Sequence, residues 1–214
     1  FAGGVGNVVP SGRTMNMYNN ISSVDSQGLV GSDYTDMLNL LSNQDNYVFN
    51  SVGLPLKSKT GVDPRKGGNY RIKSDDFFKI NKKKFDVIFI DGLHHYDQCQ
   101  RDVINSLNCL NKKGFLFIHD LLPLDWRMEL VPRIQGRWNG DVWKVGLELA
   151  KSKNLKFYIA DMDSGVGFLQ KTKDKFTYTK IDNLKNLRFI DYLKIYKQLP
   201  VIDAERALHK IING

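Results

Sequence analysis

Apolar residues in this chain fall into two spacings, and the change from one to the other marks its elements. Val87, Ile88, Phe89 and Ile90 form an unbroken apolar run. The run is too short for a helix and rich in β-branched and aromatic side chains, which predicts a strand buried on both faces. From about Tyr96 to Leu110 the spacing becomes helical, with Cys99, Val103, Leu107 and Leu110 on one stripe and Gln98, Arg101, Asp102 and Asn105 elsewhere. Lys112-Lys113-Gly114 supplies cations and a glycine suited to closing that helix. Phe115 to Ile118 is a second buried run, so the stretch from Phe85 to Pro123 reads as one strand, helix, strand unit. A parallel return crosses over right-handed, which places Asp91 and Asp120 at one edge of the sheet. In open parallel sheets that carboxyl edge binds ligands.

The flanking segments are read the same way. Asp33 to Asn50 suits either a helix or a short buried strand, and Lys59 to Pro64 reads as a strand ending at Asp63. By position Asp63 serves either as a ribose-binding acid or as an Asx-turn before Pro64. Tyr70 to Phe78 is a strand end followed by a helix start, with Ser74 as its N-cap. The stretch from Leu121 to Trp138, broken by Pro123 and Pro132 and carrying Trp126 and Trp138, is expected to be an exposed lid or substrate loop. Val142 to Ser152 has a helical stripe that Asn139 or Asp141 would cap. Leu155 to Ala160 and Gly167 to Gln170 predict an antiparallel hairpin, and Leu187 to Tyr196 and Asp203 to Ile212 predict two helices split by Pro200. Three regions result: an irregular Gly-, Ser- and Asn-rich arm over 1–32, an α/β domain over 33–172, and a basic helical appendage over 173–214.

Composition narrows the function classes. A chain of 214 residues with 42% hydrophobic and 25% charged residues is ordinary for one globular domain. No apolar run reaches the roughly 18 residues of a membrane helix. The opening FAGGVGNVVP lacks the basic start and apolar core of a secretory signal, so a cytoplasmic location is the expectation. GGVG at Gly3 to Gly6 has no strand before it and is weak as a phosphate loop. Cys99 and Cys109 have neither disulfide nor zinc spacing. The net charge of +8 comes from lysines spread along the chain rather than gathered in one aromatic-bearing stripe, which disfavours a nucleic-acid partner.

Three stretches carry a family resemblance. TGVDPRKGGNYRIKSDDFF, DVIFIDGLHHYDQCQRDV, and GFLFIHDLLP followed by RWNGDVWK resemble the class I S-adenosylmethionine-dependent methyltransferases, especially the small-molecule and sugar O-methyltransferase branch. The resemblance implies a Rossmann-like three-layer fold with a mostly parallel sheet and an antiparallel terminal strand pair. It also implies S-adenosylmethionine as cofactor and a small hydroxylated acceptor as partner. Asp63 would then hold the cofactor's ribose hydroxyls, Ser74 and Asp75 would sit beside its adenine, and Asp91 would border it. In metal-dependent members the matching acids, here Asp91 and Asp120, bind magnesium, and the histidine of the DxxH motif, here His94, acts as base. His119 is expected as an outer residue beneath the metal.

The first strand departs from the family pattern. Where members show an acid and then a glycine against the cofactor's methionine end, this chain has Asn39 and Leu41, with Asp45 just beyond. Two other function classes stay open on sequence grounds: a non-catalytic binding or scaffold relative with a degenerate cofactor site, and an RNA methyltransferase or RNA-binding module using the basic stretch from Lys171 to Lys197. Self-association stays open as well.

Overall fold

A computed structural model describes residues 60–65 and 69–212. The expected arm over 1–32, and Asn39, Leu41 and Asp45, lie outside the described residues. Among the described residues five strands form one sheet, β1 (Phe85–Ile90), β2 (Leu110–Ile118), β3 (Leu155–Ala160), β4 (Val166–Lys171) and β5 (Val201–Ile202), in the order β1-β2-β4-β3-β5. β1 and β2 are parallel, β3 and β5 are parallel, and β4 is antiparallel to both neighbours, so four strands share one direction. The helices are α1 (Ser74–Ile80), α2 (Tyr96–Cys109), α3 (Trp126–Glu129), α4 (Trp143–Lys151), α5 (Phe189–Ile195) and α6 (Ala204–Ile212). This is the Rossmann-like α/β architecture that the resemblance implies, built on the strand–helix–strand unit that the apolar pattern predicts.

The unbroken apolar runs follow from the layering. Successive side chains of a strand point to opposite faces. Ile88, Ile90, Leu116 and Ile118 therefore enter one core with Phe77 of α1, Val103 and Leu107 of α2, and Trp143 and Leu149 of α4. Val87, Phe89, Phe115 and Phe117 pack on the other face with Phe168 and Ala207 of α6. Both faces are covered, so neither can be polar. Leu107 is fully buried, and its truncation to Ala costs about 2–5 kcal/mol.

Several local expectations are corrected. Lys112-Lys113-Gly114 does not close α2: the helix ends at Cys109, and Leu110 is already extended as the first residue of β2. These residues instead take up a register shift between the Phe85↔Leu110 and Val87↔Phe115 pairs. A Cβ on Gly114 would lie 2.7 Å from the Asp86 carbonyl oxygen, so a side chain there would push the two strands apart. Ser74 is inside α1, with Lys73 at the N-cap, and its hydroxyl donates to Asp102 Oδ1 at 2.7 Å. That hydroxyl is used across to the neighbouring helix, giving its hydrogen to Asp102 and accepting from Gln98 Nε2 at 3.1 Å.

Asp141 does not cap α4 through its side chain. Its Oδ1 accepts from the Tyr96 amide at 2.6 Å, which caps α2, and its Oδ2 pairs with the buried Lys144 at 2.9 Å. Trp138 is buried whereas Trp126 is exposed, so only part of the expected loop faces solvent. α3 also forms within that loop, with Asp125 accepting from the Arg127 and Met128 amides.

The chain after residue 172 adds β5 to the sheet and places Leu184, Tyr192 and Leu199 in the core. Glu148 of α4 ties it down: this fully buried carboxylate accepts from Tyr178 Oη at 2.7 Å, the Ile181 amide at 3.0 Å, Tyr96 Oη at 2.8 Å and Gln100 Nε2 at 2.7 Å. Burial, followed by the bond to Glu148, pushes the Tyr178 phenol far up, so it stays a donor.

Candidate active site

Parallel pairing places Ile90 opposite Ile118, so the residues that follow both strands emerge at one edge. The His119 amide continues the ladder by donating to the Ile90 carbonyl at 3.0 Å. Beyond it Asp120 adopts φ +67°, a left-handed conformation that non-glycine residues take mostly at turns and functional sites. Asp91, His94, His119 and Asp120 are all buried there. His94 Nε2 lies 3.3 Å from Asp91 Oδ1 and 3.1 Å from Asp120 Oδ2. His119 Nδ1 lies 3.0 Å from Asp120 Oδ2 and 3.7 Å from Asp91 Oδ1.

Each imidazole is held by its other nitrogen. His94 Nδ1 is 2.8 Å from the Trp138 carbonyl oxygen, and His119 Nε2 is 2.7 Å from that of Asp163. A carbonyl only accepts, so these nitrogens carry hydrogen. Trp138 also stacks on the His94 ring, with centroids 5.1 Å apart and planes 18° apart. The β3–β4 turn that presents Asp163 is itself fixed, because the Leu121 and Leu122 amides donate to the Gly165 and Ser164 carbonyls.

Charge and burial oppose each other in this cluster. Burial disfavours the His94 cation, but the Asp120 and then the Asp91 carboxylates outweigh it and raise the pKa. His119 is raised further, since burial is again outweighed by Asp120 and by Asp163. Burial raises Asp91, with the two histidines offsetting only part of the effect. For Asp120 burial acts upward, but His119 and His94 overcome it and hold the carboxyl low. Despite the short distances, Asp91 Oδ1 and Oδ2, His94 Nε2, His119 Nδ1 and Asp120 Oδ2 all lack a hydrogen-bond partner among the described residues. Buried polar atoms without partners are costly, and a proton or cation between them would satisfy several at once.

Residues 33–121 match the family model described as a methyltransferase domain. That stretch, which ends just past β2, is similar to a methyltransferase domain. Comparison with curated proteins gives no match. Among the described residues no helix is long and apolar enough to cross a membrane.

Within the matched stretch the predicted site residues divide into two groups. Asp91, His94 and Asp120 meet at one edge of the sheet, and one ligand-type atom from each lies within 4.8 Å of the others. Asp63, Ser74 and Asp75 lie before β1. Val62 bridges in parallel to Tyr70, and Asp63 Oδ1 accepts from the Arg65 amide at 2.6 Å, an Asx-type contact. The Ser74 hydroxyl is engaged by Asp102, while the partly exposed Asp75 receives Gln98 and Arg101.

Sequence reasoning passed over Gly140 and Asp163 and set Trp138 in an exposed lid or substrate loop. Trp138 and Gly140 come from the RWNGD turn, and Asp163 from the hairpin tip. Gly140 has φ +62°, and a Cβ there would overlap the His94 carbonyl. The Asn-Gly-Asp turn signal was visible in the sequence. Its contact with His94, 46 positions away, was not.

Proposed function

We propose that this chain is an S-adenosylmethionine-dependent methyltransferase that methylates a hydroxyl of a small acceptor, a sugar among the candidates, at the Asp91–His94–Asp120 centre. One observation carries the reading: in a methyltransferase domain, two carboxylates and an imidazole nitrogen converge, buried, at the carboxyl edge of a parallel strand pair. When bound, the cofactor supplies a methyl on positively charged sulfur, which needs alignment more than activation. Asp63, at the end of its bridged segment, suits the ribose hydroxyls. On the adenine side the partly exposed Asp75 carboxylate suits an amino group as acceptor, whereas the Ser74 hydroxyl spends its hydrogen on Asp102.

The acceptor hydroxyl must lose its proton as its oxygen takes the methyl. With Nδ1–H fixed on the Trp138 carbonyl, His94 Nε2 is the nitrogen that faces the centre and receives that proton. Asp91 and Asp120 stabilise the resulting imidazolium, and Trp138 keeps its plane fixed. The raised His94 pKa sets a direction: the base form grows as pH rises through that value, so turnover increases toward alkaline pH. The unpartnered carboxylate oxygens also fit a dication. Magnesium there would be held by Asp91 and Asp120 and would ease loss of a hydroxyl proton.

The test has two parts: calorimetry with S-adenosylhomocysteine, and release of that product from S-adenosylmethionine across a panel of sugars and phenols. Saturable binding and acceptor-dependent product are expected, with Asp91→Ala and His94→Ala lowering the rate by about 10²–10⁴. Absence of binding, or an undiminished rate in both variants, would refute the assignment. Near-complete burial of all four side chains favours a second reading, a non-catalytic binding protein on the same fold. It predicts ligand binding with no product for any acceptor.

A further inference from the structure

The two imidazoles give the centre a donor set unlike an all-oxygen magnesium site. Each ring spends its N–H on a backbone carbonyl, so in the neutral ring the opposite nitrogen is a lone pair. Those lone pairs, His94 Nε2 and His119 Nδ1, face the same two carboxylates. Acceptors facing acceptors in a buried place repel one another, and among the described residues none of these atoms has a hydrogen-bond partner. Asp91, His94 and Asp120 each offer one atom within 4.8 Å of the others, the spacing of ligands around one ion.

We infer that Asp91, His94 and Asp120 form a nitrogen-containing site that takes a transition-metal dication (Mn²⁺, Co²⁺ or Zn²⁺) in preference to Mg²⁺. His119 is a positioning residue: its Nδ1 lies 3.0 Å from Asp120 Oδ2 and its Nε2 is tied to the Asp163 carbonyl, which holds that carboxylate in place. Imidazole nitrogen suits first-row transition dications, whereas magnesium prefers oxygen and keeps much of its water. The stacked Trp138 and the Trp138 carbonyl pin the ligand ring, as outer contacts of metal-bound histidines do. The inference rests on the proposed centre and gives His94 Nε2 a ligand's role in the loaded protein in place of a base's.

The experiment uses the full chain, stripped with a chelator and titrated by calorimetry with MnCl₂, CoCl₂, ZnCl₂ and MgCl₂. Visible absorption of the Co²⁺ form is recorded as an independent readout. One transition ion per chain is expected, bound at least about tenfold more tightly than Mg²⁺, in line with the nitrogen donor. His94→Ala is expected to weaken Co²⁺ binding by about 10–100-fold and change its spectrum, and His119→Gln to weaken it less. Circular dichroism checks that the variants fold, and His94→Gln replaces His94→Ala if that one does not. Equal affinity for Mg²⁺, no binding of any ion, or unchanged Co²⁺ binding in a folded His94 variant would overturn the inference. S-adenosylhomocysteine titrated in parallel reads the methyltransferase assignment separately: loss of that binding with Co²⁺ bound strikes the function and not the ion site, and the converse strikes the ion site alone.

Discussion

Replacing Asp102 by Asn should make the protein less sensitive to pH, and the size of the change follows from the carboxyl's surroundings. Asp102 is buried on α2, where Oδ1 accepts from Ser74 Oγ at 2.7 Å and Gln98 Nε2 at 3.1 Å, while Oδ2 has no partner among the described residues. Burial, only partly offset by those two donors, pushes its pKa up to about 7. The unfolded chain gives up this proton near pH 4, so across the interval between the two values the folded state binds more protons. Stability therefore falls as pH rises from about 4 to 7 and levels off above. At about 1.4 kcal/mol per pH unit, the part of that fall between pH 5 and 7 is roughly 2–3 kcal/mol.

An asparagine keeps an oxygen for Ser74 and Gln98 and does not titrate. Its amide nitrogen brings an unpaired donor costing about 1–3 kcal/mol, but that cost is the same at every pH. Urea denaturation of both proteins at pH 5 and pH 8 isolates the titrating part. The stability of Asp102→Asn relative to the parent should improve by about 2–3 kcal/mol on going from pH 5 to pH 8. A relative stability that stays constant within about 0.5 kcal/mol would refute the reasoning and show that Asp102 ionises normally in the folded protein.

Other outcomes follow from contacts described above. Glu148→Ala leaves Tyr96, Gln100, Tyr178 and the Ile181 amide without their shared acceptor, and should cost about 3–5 kcal/mol in urea denaturation; a cost under about 1 kcal/mol would mean that water replaces the carboxylate. Gly140→Ala puts a side chain against the His94 carbonyl at a positive φ, so it should lower thermal stability and methyl transfer together, and a variant with parental turnover would show that the turn yields freely. The rate of the metal-stripped enzyme should climb with pH through the raised His94 value, and a profile flat from pH 6 to 9 would remove His94 as the proton acceptor.

Much of the fold was legible because the two-faced burial of β1 and β2 requires continuous apolar runs, and because α2 keeps a clean helical stripe. Asp91, His94 and Asp120 were legible as strand-end chemistry, since parallel pairing alone brings them to one edge. β5 was not, because two residues carry no period; its place is set by pairing with Ile159 and Ala160. The ends of α1 and α2 were misread because their polar groups are satisfied across space, Ser74 by Asp102 and the Tyr96 amide by Asp141. Local capping rules cannot see such partners. For the same reason Trp138 passed for a solvent-facing loop residue when it forms a wall of the site.

The turn from Trp138 to Asp141 secures the His94 ring with its first residue and the start of a helix with its last. Durability and the geometry of the buried cluster are thereby coupled in one short stretch, and drift there cannot alter one while sparing the other. The neighbouring run that exposes Leu124, Trp126 and Ile134 is fastened to the same turn, because the Met128 carbonyl accepts from the Asn139 and Gly140 amides and the Leu130 carbonyl from Trp138 Nε1, so a shift in that run is passed on to the His94 ring.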